Sequence, residues 1–382
     1  MDANVSEGER IENWNRELLY DLIPNDIVLA VYILLGIFGN GIVIYVYKKG
    51  FSRMNVERYF IPILAVADCY ASTMCASFSM ALNMMQATFY NNTLCKVWWF
   101  FAAFPTFLSP LLLLVIAVQR YLKVVRPFGR QMDKKLNRIA LFLTIILSLL
   151  CALPTPLLYG SVPFPHAQEN IVGRRCSKIK GGNRYFSIFY GSMLALIAIT
   201  AVTALIVLYL KIGWAIYKHT KKEYTISRTG LDCQKSKVKT HGIIESISEN
   251  KTEEMISSDT KTKDSTEKTI KPAVKEYCEN GELTCYSGEA RERRNRKIIH
   301  KFTLMFMLIT TIFLICYIPK AVIMLFEALN REFWESFDDS DRSGMLFIYR
   351  LFIVNNIVNP FVYAFLDSKF KHELKMLFCQ RH

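Results

Sequence analysis

Apolar positions in this chain do not alternate with polar ones at a helical or a strand period; they run together. Ile27–Tyr47, Val97–Val118, Ile139–Tyr159, Ser187–Leu210 and Phe302–Ile318 carry no charged side chain, and Phe60–Met85 and Met345–Leu366 carry one each, Asp68 and Arg350. A helix needs about 20 residues to cross ~30 Å of hydrocarbon. Hydrocarbon offers a free backbone no water, so each crossing must satisfy its own hydrogen bonds as a helix. A soluble helical fold would show an apolar stripe backed by a polar one. The pattern predicts an all-α integral membrane protein: a bundle of seven transmembrane helices, spans one to seven in chain order.

Boundaries follow. Residues 1–26 read as an extracellular tail, 27–215 as spans one to five, and 216–296 as a long cytoplasmic loop. Residues 297–366 hold spans six and seven, and 367–382 a short amphipathic eighth helix with the tail. The first run follows a polar tail and has no small-residue cleavage site, so it is expected to stay as a span. The loop is rich in Ser, Thr, Lys and Glu, which predicts a disordered middle between helical extensions at Lys211–Lys222 and Arg291–Lys301. Ser257, Ser258 and Thr260 there are either phosphorylation sites or part of a solvated linker. After span seven, Asp367 or Ser368 can cap a helix with Phe370, Leu374, Leu377 and Phe378 on one face and Lys369, Lys371 and Lys375 around the others. Such a helix lies on the inner membrane surface. Cys379 at its end is a palmitoylation candidate or a free thiol.

The 382 residues are 52% hydrophobic with a net charge of +14. That charge sits where topology puts it. The loop after span one has four basic residues against one acidic, and the stretch after span three has seven against one. The tail to Asp26 has seven acids and two bases, and Glu327–Arg342 six and two. Basic loops stay cytoplasmic, so the N-terminus is expected outside, at the cell membrane. One loop dissents: Gly160–Arg184 is net basic yet outside by parity. The positive charge is thus mainly a topology signal and implies no nucleic-acid partner. Of ten cysteines, only Cys95 and Cys176 face the oxidising side, which leaves one possible extracellular disulfide. Asn4 and Asn91 head glycosylation sequons on that side, whereas the Asn250 sequon lies on the wrong one.

Charge inside a membrane is costly and usually functional. Asp68 is the one acid deep in a span, and Asn40, Ser109, Asn355 and Asn359 are the polar residues available to surround it. Span seven ends Asn359-Pro360-Phe361-Val362-Tyr363. Span six holds Phe313-Leu314-Ile315-Cys316-Tyr317-Ile318-Pro319, and span three ends Gln119-Arg120-Tyr121, with Cys95 25 residues before Arg120. These motifs, in order and each on its proper span, resemble the rhodopsin-like (class A) G-protein-coupled receptors over Ile27 to about Cys379, the long loop excepted. They correspond to that family's NPxxY, FxxCWxP and Asp/Glu-Arg-Tyr motifs, with Tyr317 in place of Trp and Gln119 in place of the acid.

The resemblance implies a receptor without enzymatic activity that passes an extracellular signal to a heterotrimeric G protein. It implies that Arg120, Tyr121, Tyr209, Phe313, Tyr317, Pro319, Asn359, Pro360 and Tyr363 form the activation switch. Tyr209 and Tyr363 would turn toward Arg120 in the active state, and Phe128 would contact the G protein beside Arg120. Asp68, Ser109, Asn355 and Asn359 would hold a sodium ion, a hard cation matched to oxygen ligands; no other cofactor is implied. Pro319 and Pro360 remove backbone hydrogen bonds and so permit bending. Ala102 stands where amine receptors carry aspartate, and Ile353 where opsins carry the Schiff-base lysine. Both ligand classes are therefore disfavoured. Lys320, Glu327, Tyr349 and Arg350 are the ligand-binding candidates. Lys320 faces either a ligand carboxylate or Glu327, and Arg350 faces ligand, Glu327 or the membrane interface. Trp98, Trp99 and Phe326 are further aromatic wall candidates. An acidic outer surface favours a basic neuropeptide-type ligand. The rivals are a ligand-scavenging receptor that does not signal and a transporter; the chain shows neither the internal repeats nor the helices broken at matched positions expected of the latter.

Overall fold

The computed structural model describes residues 6–50, 58–166, 169–179, 181–249, 271–330 and 333–379; within its helices the side chains of 50, 222–297, 328, 335, 339–340, 369 and 377–379 are not described. Seven helices among the described residues are long and apolar enough to cross a membrane: Ile23–Lys49, Phe60–Met84, Asn92–Val125, Lys134–Leu158, Arg184–Lys221, Ile298–Glu327 and Asp341–Leu366. Their outward faces carry large exposed apolar side chains, among them Phe142, Leu196, Leu210, Ile315 and Phe365. Such a girdle would be costly in water and is what lipid covers.

Helix starts follow from side chains that accept the first free amides. Asn91 Oδ1 accepts from Leu94 N at 2.9 Å to begin span three, and Asp133 Oδ1 accepts from Leu136 N at 2.7 Å to begin span four. Small residues set the approach of spans one, two and seven. A Cβ at Gly36 would overlap the Ser72 side chain, and one at Gly39 would meet Pro360 Cγ at 3.1 Å. Prolines within the spans leave carbonyls without their helical donor, and at two of them another span supplies one. Pro360 frees the Asn356 carbonyl, which accepts from Asn40 Nδ2 of span one at 2.9 Å. Pro105 frees the Phe101 carbonyl, which accepts from Tyr70 Oη of span two at 3.1 Å.

Two elements outside the spans were not expected from the sequence. Within the tail, α1 (Glu7–Tyr20) is capped by Ser6 and buries Ile11 against Ala87 and Ile171, with Trp14 stacked on Phe164 at 4.8 Å. Asn15 of α1 donates to the Met84 carbonyl at 2.9 Å and accepts from Ala87 N at 2.8 Å, which ties the helix to the end of span two. Between spans four and five, β1 (Tyr159–Pro165) and β2 (Val172–Lys178) form an antiparallel hairpin that pairs Pro163 with Arg174 and Ser161 with Cys176. This hairpin is the net-basic loop that dissented from the charge rule.

Span seven is interrupted. One helix covers Asp339–Tyr349, a 3-10 turn covers Leu351–Ile353, and a second helix runs Val354–Leu366 before the eighth helix, Ser368–Cys379. The helix of span five continues to Glu249, and that of span six begins at Lys271. Helix therefore occupies most of the 216–296 segment read as a disordered loop, since its Lys, Glu, Gln and Arg are sound helix formers even without a core to bury. Residues 250–270, which include Ser257, Ser258 and Thr260, lie outside the described ones. Lys211–Lys301 forms a compact unit by itself, separate from the bundle made by the rest of the chain.

Candidate functional site

At mid-membrane, span two places Asp68 fully buried among spans three and seven. Its Oδ2 accepts from Asn359 Nδ2 at 2.6 Å, while its Oδ1 has no hydrogen-bond partner among the described residues. Asn355 Oδ1 is likewise buried without a partner, and Ser109 is buried on the facing span. The sequence-selected oxygen set is thus drawn into the core, with a carboxylate oxygen and an amide oxygen left unsatisfied. Buried polar atoms are seldom left so, and a small hard cation would satisfy both.

Toward the inside, Arg120 is completely buried at the end of span three. Its Nη2 donates to Gln119 Oε1 at 3.4 Å, and its guanidinium lies 4.8 Å over the Phe306 ring of span six. Gln119 in turn donates to Asn137 Oδ1 of span four at 3.4 Å. Tyr209 accepts from Thr310 Oγ1 at 3.1 Å, which joins spans five and six, and Tyr363 Oη is buried without a hydrogen bond among the described residues. Phe128, in the following loop, is fully exposed.

A second inner cluster was missed in the sequence. Asp367, at the junction of span seven and the eighth helix, accepts from Arg58 Nη2 at 3.1 Å and from Tyr47 Oη at 2.9 Å. Both members of the ion pair are more than nine-tenths buried. Arg58 also lies 4.8 Å over the Phe302 ring at the inner end of span six. The signal was present as two lone charges flanking helices, but each reads equally well as a topology marker or a cap.

In the upper bundle, Phe78 stacks on Trp98 and meets Trp99 edge-on, both at 5.2 Å, and Trp99 stacks on Tyr159 of β1 at 3.8 Å. Burial holds the Tyr159 phenol well above its ordinary pKa range. The disulfide joins Cys95 at the top of span three to Cys176 of β2, with Cα atoms 5.6 Å apart, and fixes this hairpin over the aromatic cluster. Trp98 and Trp99 therefore face the interior, whereas Phe326 is exposed and stacks on Phe333 at 6.1 Å.

Lys320 and Arg350 do not pair with Glu327, the internal acid considered for both. Arg350 Nη2 donates to Asn83 Oδ1 at 2.7 Å, and Asn83 donates to Asp26 Oδ1 at 2.7 Å. Spans seven, two and one are linked in that order, because Arg350 sits at the break of span seven and turns inward. Asp26 and Asn83 were absent from the candidates; each is a single polar residue at the outer end of an apolar run. Lys320 lies with Nζ 3.4 Å from the Phe352 ring centroid and 5.4 Å from that of Tyr349. Glu327 instead has Trp334 and Lys178 as neighbours. Asn91 is exposed, as glycosylation requires. Asn4 and the Cys379 side chain lie outside the described residues.

The sequence profile of the 7 transmembrane receptor (rhodopsin family) matches residues 39–363. The chain is 22% identical over 374 residues to the cholecystokinin receptor of Xenopus laevis, covering 97% of this chain and 78% of that one. It is 23% identical over 369 residues to the neuropeptide receptor npr-1 of Caenorhabditis elegans, covering 92% and 72%. Among solved structures, squid rhodopsin superposes with a TM-score of 0.63 at 15% identity over 96% of this chain and 86% of that chain, a likeness of fold.

Proposed function

Because the chain belongs to the rhodopsin family of seven-transmembrane receptors, we propose that it senses an extracellular peptide and drives nucleotide exchange on a heterotrimeric G protein. The observation that carries the peptide assignment is the extent of the likeness to receptors named for cholecystokinin and for neuropeptides, which takes in nearly the whole chain. The ligand would enter from outside between the hairpin and the upper bundle, where Lys320, Glu327, Tyr349 and Arg350 and the Trp98–Trp99 cluster line the approach. Arg350 would act through its Asn83 link, because its guanidinium already bonds there.

Inside, outward movement of span six would part Phe306 from Arg120 and release Tyr209 from Thr310. Phe313, Tyr317 and Pro319 would bend span six, and Asn359, Pro360 and Tyr363 would bend span seven. A G-protein helix would then enter beside Arg120 and Tyr121, with the exposed Phe128 against the partner. The resting receptor would hold sodium through Asp68, Ser109, Asn355 and Asn359, and the ion would supply the charge that a buried carboxylate needs. The protein would sit in the plasma membrane with its N-terminus outside, glycosylated at Asn4 and Asn91 and palmitoylated at Cys379.

The test is peptide-stimulated nucleotide exchange by the purified receptor in lipid discs with added G protein. Saturable peptide binding with no exchange on any G protein would favour the non-signalling alternative, which the amide beside Arg120 keeps in play.

A further inference from the structure

Lys320 follows the proline of span six and is 8% exposed. Its ammonium makes no hydrogen bond or ion pair among the described residues; its neighbours are the faces of Phe352 and Tyr349. The nearby thiol of Cys75 donates to the Ala102 carbonyl at 3.5 Å. Asp26 is engaged with Asn83, and Glu327 lies against Trp334 and Lys178. A buried ammonium satisfied by ring faces alone is a poor resting place for a charge, since its solvation is only partly replaced. Nothing about helix packing demands it, because a methionine would fill the same volume.

The ring beneath the ammonium leads inward. Phe352 meets Tyr317 edge-on at 5.6 Å, and Tyr317 packs on Phe313 at 4.3 Å. Phe352 belongs to the 3-10 turn that interrupts span seven, a segment with fewer helical bonds to hold it.

We infer that Lys320 anchors a carboxylate of the peptide, from its C-terminus or an acidic side chain, and that drawing the ammonium off Phe352 passes occupancy to Tyr317 and Phe313. This rests on the peptide-receptor reading. It adds that the decisive ligand group is an anion, which enters past the acidic rim as part of a peptide whose remaining charge is basic. The carboxylate replaces a diffuse ring contact with a direct charge-assisted bond. The ring, relieved of the cation, is then free to reorient with the turn that carries it.

Three measurements test this in the full-length receptor. In ligand-free protein, Lys320→Met raises Tm by about 3 °C, because an ill-satisfied buried charge is removed; a fall would make Lys320 a structural partner and overturn the inference. Phe352→Leu, which keeps an apolar side chain but removes the ring face, raises ligand-free nucleotide exchange about threefold; unchanged exchange would overturn the coupling through Phe352. The third uses a synthetic neuropeptide library in which each peptide is made as free acid and as C-terminal amide, and with each Asp or Glu as Asn or Gln. Peptides active on wild type should lose about 30-fold or more in potency on Lys320→Met, and removing one particular carboxylate should abolish that difference. The form that abolishes it tells terminus from side chain. Active peptides with equal potency on both receptors would overturn this inference and leave the peptide reading standing. A library that never drives exchange on wild type would overturn both.

Discussion

Two arginines at the inner face of the bundle, Arg58 and Arg120, each lie over a phenylalanine of span six at the same 4.8 Å. Their partners, Phe302 and Phe306, are four residues apart and so share a face of that helix. Span six is thus held against the bundle by two cation–aromatic contacts, one turn from each other. The two arginines differ in what stands behind them. Arg58 has a carboxylate, Asp367, at 3.1 Å; Arg120 has the neutral amide of Gln119 at 3.4 Å. A paired guanidinium is fixed whether or not its ring stays, whereas a guanidinium backed by an amide depends more on the ring. The junction around Asp367 therefore acts as a fixed post and the Arg120 region as the part that can change.

The largest effect is expected at the post. Asp367→Asn keeps the shape and strips the charge, leaving Arg58 buried without its counter-ion, at a cost of about 3 kcal/mol. Purified receptor should melt at least about 5 °C lower, with fewer receptors at the cell surface. A variant that melts with wild type would mean that the Phe302 ring and the amide at 367 hold Arg58 without the carboxylate charge. Next in size is Gln119→Glu, which gives Arg120 the carboxylate that Arg58 already has. The added charge pairing stabilises the closed mouth by about 1–2 kcal/mol, so ligand-independent exchange should fall roughly tenfold at matched surface expression. Equal basal exchange would show that the amide already restrains Arg120 as well as an acid can.

The difference between the two clusters also marks what could be read before the structure. The spans were legible because they depend on composition along one helix, and the Cys95–Cys176 bridge because no other cysteines were left on that side of the membrane to pair. So was the Asp68 cluster, where few polar residues were available at that depth and the choice of partners was short. The Arg58–Asp367 pair was not legible, since its members lie on different elements and only helix rotation brings them together. The same holds for the Asp26–Asn83–Arg350 link, in which Arg350 had three plausible destinations and took another. The hairpin was hidden by Pro163 and Pro165, which argue against a strand; a two-stranded ribbon is all edge and tolerates prolines whose missing amides face outward. Helix α1 was hidden by its context, a polar tail in which Ile11 and Trp14 had no visible surface to cover.

The smallest expected effect decides the comparison, because it changes the rings and leaves both arginines alone. Phe306→Leu and Phe302→Leu each remove an aromatic face worth about 1 kcal/mol or somewhat more where desolvated, with little change in apolar volume. If the two contacts clamped span six equally, basal nucleotide exchange would rise equally in both. The unequal backing of the arginines predicts otherwise. Phe306→Leu should raise basal exchange about fivefold, since Arg120 loses a main support of its closed position. Phe302→Leu should raise it less than twofold, since Asp367, itself bonded by Tyr47, keeps Arg58 in place and span six retains Phe306. Adding Gln119→Glu to Phe306→Leu should return basal exchange most of the way to wild type, whereas adding it to Phe302→Leu should lower exchange by the same factor as in the unmodified receptor. Equal effects of the two single substitutions would assign the restraint on span six to the rings themselves and not to the charges behind them.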